Sequence, residues 1–321
     1  MSSGWIQTVK GQVSVDELGL ILPHEHLFTD LRGPLVPEYA QADPEQVVQV
    51  MSPYLEAAFA GGVTAMVECS TVGVGRNVTV LKRLAECTPI HIIAPTGVYR
   101  QAYTPPALRN TDKEELAEMW IKDLSEGMEG TDIRAGFIKI SMSDDGPTEL
   151  EIRNLKAAVI VSQETGAVIA SHTPNGAIAR REMDILQTEG LPLNRFIWVH
   201  ANLETDQAVH LEAAQQGAYV EFDAIGWEWQ SQSAIAYYTE SLIEAGYADR
   251  ILLSHDAGWY DPSQPDGQPE DQGIHGFTTL VEEFIPNLQD RGVADDLIHT
   301  ITIENPGRAF AFQMGVHEEV P

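Results

Sequence analysis

Two histidines separated by one residue could chelate a metal ion. His24 and His26 follow a short apolar run, and the side chains of an extended strand alternate between its two faces. Both imidazoles would then lie on one face, with Glu25 on the other. Imidazole is a common ligand of transition metals. Taken alone, the pair also fits two ordinary surface histidines, so its meaning depends on what lies beside it in the fold.

A lysine interrupts a second apolar run. Lys139 lies in Gly136-Phe-Ile-Lys-Ile140, where burying an ammonium group would cost a large free energy. Burial favours the neutral amine, and a neutral amine can react with carbon dioxide to form a carbamate whose two oxygens could bridge two cations. The alternative is a lysine that reaches solvent at the strand end or pairs with Asp144 or Asp145.

The elements that must position these residues follow from hydrophobic periodicity. Short runs rich in Val and Ile alternate with longer segments of helical period. The predicted strands are 19–23, 64–68, 90–94, 135–140, 167–171, 196–199, 218–222 and 251–254. The predicted helices are 44–60, 78–87, 113–126, 149–164, 177–189, 204–216, 233–245 and 278–291. Strands that are each followed by a helix predict an α/β fold, a closed (β/α)8 TIM barrel, as a single domain over residues 1–321.

Such a barrel would bring distant residues together. His172, His200 and Asp256 each end a predicted strand, and the carboxyl ends of parallel barrel strands surround one mouth. Each histidine by itself could be a hydrogen-bonded structural residue, but four histidines and a carboxylate at one mouth indicate a transition-metal site. His255 would point away from it and is expected to be packed or hydrogen-bonded. The Pro-rich segment 257–276 is predicted to be a loop covering the site.

The overall composition excludes some classes of partner. Lys and Arg number 19 against 48 Asp and Glu, for a formal charge of −29, so nucleic acid and anionic membranes are unsuitable ligands. The two cysteines, Cys69 and Cys87, are expected to be free thiols in a reducing compartment. The first ten residues lack the pattern of a signal peptide or membrane anchor. We therefore expect a cytoplasmic protein that acts on a small molecule.

The order of these residues resembles the phosphotriesterase family of the amidohydrolase superfamily, which includes the phosphotriesterase-like lactonases. The motifs that carry the resemblance are Leu22-Pro-His-Glu-His-Leu27, Gly136-Phe-Ile-Lys-Ile140, Leu253-Ser-His-Asp256 and Glu304-Asn-Pro306.

This resemblance implies a binuclear metal site. His24, His26 and Asp256 would hold the more buried ion, and His172 and His200 the more exposed one, with carbamylated Lys139 and a hydroxide bridging the two. Zinc is the first expectation, with cobalt, manganese or iron as alternatives. Asp256 would be both ligand and proton acceptor, and Asp223, after the seventh strand, would be a catalytic proton-relay partner unless it is a helix N-cap.

The resemblance also bears on the substrate. Tyr99 stands where the lactonase branch carries a tyrosine and the phosphotriesterase branch a tryptophan. Ala224 stands where the lactonases carry an arginine, a role that Arg100 could fill unless it is simply solvated. Aromatic side chains of two late loops could line the pocket or pack the loops together: Trp227, Trp229, Trp259 and Tyr260.

The chain is thus predicted to be a hydrolase in which the bridging hydroxide attacks a C=O or P=O centre, with a lactone or related carboxylic ester as substrate. The alternatives are phosphotriester or amide hydrolysis on the same site, and a metal-containing binding protein without turnover. A homodimer is the default expectation for its assembly.

Overall fold

A short antiparallel hairpin precedes the barrel. The computed structural model describes residues 4–270 and 273–312, so the ends of the predicted domain 1–321 and two residues of the predicted loop 257–276 lie outside the described residues. Strand β1 (Trp5–Thr8) pairs with β2 (Gly11–Ser14). The sequence did not predict this hairpin, because four residues are too few to establish an alternating pattern.

Ten further strands build the barrel wall. They are β3 (Leu20–Phe28), β4 (Val63–Glu68), β5 (His91–Ile93), β6 (Pro95–Gly97), β7 (Phe137–Ser141), β8 (Ile169–His172), β9 (Phe196–Val199), β10 (Tyr219–Phe222), β11 (Ile251–Leu253) and β12 (Gly258–Tyr260). All pair in parallel, in the orders β11-β10-β9-β8-β7-β6 and β12-β3-β4-β5.

The two sheets join into a closed ring. β5 and β6 are separated by Ala94, whose carbonyl accepts from Gly136 N at 2.8 Å, so together they form the third barrel strand. β11 and β12 form the eighth, and the break between them is bridged to β3 by Asp256 N to His24 O at 3.1 Å and His26 N to Ala257 O at 2.9 Å. The predicted (β/α)8 barrel is confirmed.

The helices surround this ring. They are α1 (Pro44–Ala60), α2 (Val78–Cys87), α3 (Lys113–Ser125), α4 (Glu149–Thr165), α5 (Gly176–Thr188), α6 (Gln207–Gln215), α7 (Gln232–Glu244), α8 (Ile285–Asp290), α9 (Asp295–His299) and α10 (Asn305–Phe310). π-helical turns, Leu280–Phe284 and Thr300–Glu304, precede α8 and α10. Local signals start several helices: Asp43 caps α1 ahead of Pro44, and Thr148 forms a capping box with Glu151 on α4.

Strand alternation creates two separate cores. Inward-facing side chains such as Ile21, Val67 and Phe137 form one cluster with Ile6 of the hairpin, while outward-facing side chains pack against the helices in a second cluster. Phe310 of α10 meets Phe137 edge to face at 5.3 Å and so belongs to the inner cluster. The inner face also carries polar residues of the mouth: Lys139 lies two positions after Phe137 on β7, and His172 lies two positions after Ala170 on β8.

Within the described ranges, no helix combines the length and the apolar character that crossing a membrane requires.

Candidate metal centre

The carboxylate of Asp256 joins the two histidines of β3. β3 continues to Phe28 rather than ending at residue 23 as predicted, because its ladder with β4 and β12 extends past the histidines. His24 Nε2 lies 3.3 Å from Asp256 Oδ1, and His26 Nε2 lies 3.1 Å from the same oxygen. Side-chain exposure is 2% for His24 and 30% for Asp256, so the carboxylate reaches the cavity while the histidine is enclosed.

His172 and His200 form the other half of the cluster. His172 Nδ1 lies 2.7 Å from His200 Nε2, and the rings of His200 and His24 are 5.1 Å apart between centroids. Burial, with the nearby charges of His200 and Arg100, holds the pKa of His172 well below its usual range. His172 is therefore neutral at physiological pH, the protonation state that a metal ligand requires.

Two residues of the cluster have an unusual backbone. His200 has φ +65° and Asp256 has φ +53°, the left-handed region that non-glycine residues seldom occupy. Each such residue costs on the order of 1 kcal/mol or more, and such strain concentrates at functional sites. At both positions the strand has just ended, and the left-handed turn directs the side chain into the mouth.

Lys139 lies beneath these side chains without a polar partner. It is 2% exposed, and its Nζ makes no hydrogen bond to any residue in the described part of the chain. The alternative pairing with Asp144 or Asp145 is not formed; Asp144 Oδ2 instead accepts from Arg100 NH1 at 3.0 Å. An unpaired amine among four imidazoles and a carboxylate fits a carbamate shared by two transition-metal ions, because it would otherwise be a costly buried donor.

Each of three histidines has an acceptor at its outer nitrogen. His26 Nδ1 lies 2.7 Å from Ser70 Oγ, His200 Nδ1 lies 2.9 Å from Asp223 Oδ1, and His24 Nδ1 lies 2.8 Å from Glu221 Oε1. Such acceptors fix the tautomer and orient the opposite nitrogen toward a metal.

Sequence reasoning missed Glu221. The sequence position of Glu221 could have identified it. Glu221 lies two residues before Asp223 on an apolar strand, and side chains two residues apart on a strand lie on the same face. Burial raises the pKa of Glu221 to about 7, although the hydrogen bond from His24 opposes the shift.

Asp223 lies behind His200. It is 1% exposed and is absent from the cavity wall. Its carboxylate accepts from the backbone N and the Nδ1 of His200, both at 2.9 Å, behind the metal-facing nitrogen. Burial disfavours its ionisation, but the charge and hydrogen bond of His200 outweigh that and lower the pKa of Asp223. These contacts orient the ring of His200, and the catalytic proton-relay role of Asp223 stays a prediction.

A cavity of about 160 Å³ opens over the cluster. All six predicted metal ligands line it, together with Cys69, Thr29 and Val74, and Tyr99, Trp259 and Leu31 complete the wall. Tyr99 Oη lies 3.3 Å from His172 Nδ1, and burial raises its pKa, so the phenol keeps its proton. Arg100 does not line the wall but contacts two residues that do: its NH2 lies 2.6 Å from His172 Nε2 and 3.3 Å from Tyr99 Oη.

Trp227 is not part of this wall, contrary to the prediction. Its indole Nε1 donates to His255 O at 2.6 Å, and its ring lies 4.0 Å from that of His275, so it packs two loops together. Tyr260 stacks on Phe28 and is likewise buried. His255 is hydrogen-bonded away from the mouth as expected, between Glu25 Oε1 and Leu280 N.

Comparison with known proteins identifies a family and several similar proteins. The model of the family described as "Phosphotriesterase family" matches residues 4–310. The N-acetyltaurine hydrolase of Danio rerio is 28% identical, covering 97% of this chain and 99% of that protein. The aryldialkylphosphatase of Saccharolobus solfataricus is 28% identical, covering 94% and 98%. A mutant of a PTE-like lactonase from Deinococcus radiodurans superposes with a TM-score of 0.85 at 30% identity, covering 95% and 100%.

Proposed function

The chain belongs to the phosphotriesterase family, and from this premise we propose that it is a metal-dependent hydrolase of lactones or related carboxylic esters. The observation that carries the proposal is the placement of Lys139. Its buried and unpartnered amine lies at the bottom of a cavity whose wall holds four histidines and Asp256.

The donor set fits two divalent cations. His24, His26 and Asp256 would hold the more enclosed ion, His172 and His200 the other, and a carbamate on Lys139 would lie between them. When bound, such a pair lowers the pKa of water and polarises the substrate oxygen. Nitrogen and carboxylate donors suit zinc, cobalt, manganese or iron, and zinc is the form that we would test first.

Asp256 is the residue proposed to move the proton. Its carboxylate is partly exposed in the cavity, and one of its oxygens, Oδ1, is already shared by two histidines. That leaves Oδ2 free to accept the proton of the attacking water and return it to the leaving oxygen. The left-handed backbone at Asp256 supports this role, because it is what brings a strand-end side chain to the cavity floor.

Tyr99 and Trp259 are proposed to orient the acyl group. The phenol of Tyr99 keeps its proton and borders the cavity, so its O–H can donate to a substrate oxygen. Trp259 and Leu31 provide apolar surface on the cavity wall, which suits the alkyl part of a lactone or ester.

Amide hydrolysis is the second candidate. It is favoured by the similarity to the N-acetyltaurine hydrolase of Danio rerio and by Ala224 in place of the arginine expected for a lactonase. Phosphotriester hydrolysis is the third candidate, because the relative from Saccharolobus solfataricus is named an aryldialkylphosphatase.

The test combines metal analysis with a matched substrate panel. We expect two metals per chain, and the highest kcat/KM on lactones over linear esters, an N-acyl amide and a phosphotriester. Chelation and the Asp256→Asn substitution should each abolish turnover. A preference for the amide would select the second candidate, and a preference for the phosphotriester the third. Two bound metals without turnover on any of the four classes would instead indicate a binding protein.

A further inference from the structure

One histidine of the metal centre has the wrong kind of neighbour for a metal ligand. The outer nitrogens of His24, His26 and His200 face carboxylate or hydroxyl acceptors. The outer nitrogen of His172, Nε2, instead faces the guanidinium of Arg100 at 2.6 Å. A guanidinium has N–H donors and no acceptor.

The contact fixes the tautomer of His172. Because Arg100 donates to Nε2, the ring proton of neutral His172 lies on Nδ1, which can donate to His200 Nε2 at 2.7 Å. His200 Nδ1 then donates to Asp223 at 2.9 Å. Arg100, His172, His200 and Asp223 thus form a chain of hydrogen bonds, and this chain involves both nitrogens that face each other across the exposed metal position.

Metal binding at this position conflicts with Arg100. A cation held by His172 Nδ1 would require the ring proton to lie on Nε2, where it would oppose the N–H of Arg100. Two donors cannot remain 2.6 Å apart, so the guanidinium would have to leave Nε2 if His172 held a metal through Nδ1. Its other side-chain partners are Tyr99 Oη at 3.3 Å and Asp144, which is 64% exposed and gives a solvent-screened pair.

The released guanidinium would then be a cation at the cavity mouth. Within the described ranges, Lys139 is the sole Lys or Arg that lines the cavity, and a carbamate would remove its positive charge. Arg100 is half-buried against the ring of Tyr99, with its Cζ 5.2 Å from the centroid. A planar guanidinium in such a place binds carboxylate or sulfonate groups through paired hydrogen bonds.

We propose that Arg100 binds an anionic group on the acyl substrate, and that this binding is coupled to metal occupancy at His172. The inference rests on the proposed hydrolase function and narrows its substrate class to acyl compounds that carry a carboxylate or sulfonate. Without the anion, Arg100 competes with the exposed metal for His172; with the anion, Arg100 is drawn away and the metal binds more tightly.

Metal titration tests the coupling without using activity. Apoprotein would be titrated with Zn²⁺ in a calorimeter, at about 0.15 M salt so that distant charges are screened. We expect the second metal to bind about tenfold more tightly in Arg100→Met than in the wild type, within the range for residues that contact a ligand. Arg100→Gln should bind the second metal at least as tightly as Arg100→Met, because the amide oxygen of Gln can accept from His172 Nε2. Arg291→Gln, which removes a surface charge paired with Glu240, is the control for net charge and should leave the affinity unchanged.

The anion is probed with methanesulfonate, a weak metal ligand. Methanesulfonate should increase the affinity for the second metal in the wild type and should have no effect on it in Arg100→Met. In turnover, Arg100→Met should lower kcat/KM for a carboxylate-bearing lactone roughly 10- to 100-fold, the effect of losing a charged hydrogen bond, and should spare the matching neutral carboxamide. Equal second-metal affinity in wild type and Arg100→Met, or equal loss on both substrates, would overturn the proposal while leaving the hydrolase intact. A wild type that binds no metal and turns over no substrate would overturn both.

Discussion

Replacement of Glu221 tests whether a residue outside the cavity controls the metal centre. Its Oε1 accepts from His24 Nδ1 at 2.8 Å in a fully buried setting. A hydrogen bond to a charged group contributes about 1.5–3 kcal/mol. Asp223 Oδ2 lies 3.3 Å from the same nitrogen but already accepts from the backbone of His200. It can therefore replace only part of the hydrogen bond that Glu221 provides. We expect Glu221→Leu to lose about 1.5 kcal/mol of metal affinity, or about tenfold in Kd.

The assay is competition with a calibrated chelator, followed for each of the two metals. Glu221→Gln keeps an acceptor without the charge and should weaken metal binding about three- to fourfold in Kd, since neutral hydrogen bonds are roughly half as strong. Glu182→Gln is the matched control, because Glu182 is equally buried but contacts Ser171 and Thr173 rather than a histidine. A metal Kd for Glu221→Leu within twofold of the wild type would refute the orienting role.

Three further predictions concern other parts of the centre. Lys139→Ala should lose most turnover and regain part of it with added short-chain carboxylates, which can replace the carbamate oxygens; absence of rescue would leave the carbamate without support. His172→Ala should lose the exposed metal and most turnover while its far-ultraviolet circular dichroism stays unchanged, and full activity would contradict the ligand assignment. Burial raises the pKa of Glu182 to about 8 from an unfolded value of 4.5, so the folded chain holds a proton that the unfolded chain releases. This stability is complete below the unfolded pKa and is lost as pH rises through the folded one, with a limiting slope of about 1.4 kcal/mol per pH unit. The unfolding free energy of the wild type should therefore fall relative to Glu182→Gln between about pH 5 and about pH 8, and a constant difference would refute the shift.

The regular elements were predictable because their signals are local. The bounds of α1, α2 and β9 agree with prediction to the residue, since caps, turn residues and apolar period lie within a few positions of one another. The N-terminal hairpin and helices α9 and α10 were not predicted. They are short, and packing against the barrel rather than intrinsic period stabilises them.

The site was predictable to the extent that it depends on strand ends. His24, His172, His200 and Asp256 meet because parallel barrel strands share one mouth, which topology alone requires. Trp227 was wrongly expected at the cavity because a loop residue's direction is set by its hydrogen bonds, here to the backbone of His255. The contacts of Asp223 were likewise inaccessible from sequence, because they depend on which side of His200 the carboxylate approaches.

The left-handed backbone at His200 and Asp256 has an evolutionary consequence. Both side chains are held in a conformation that glycine adopts freely and that most residues resist. While the reaction is under selection, the imidazole and the carboxylate must be kept despite this strain. Once selection is relaxed, glycine or asparagine at either position would stabilise the fold, so mutation would drift in that direction. Among descendants that lost catalysis, these two positions should change before His24, whose backbone does not adopt the left-handed conformation.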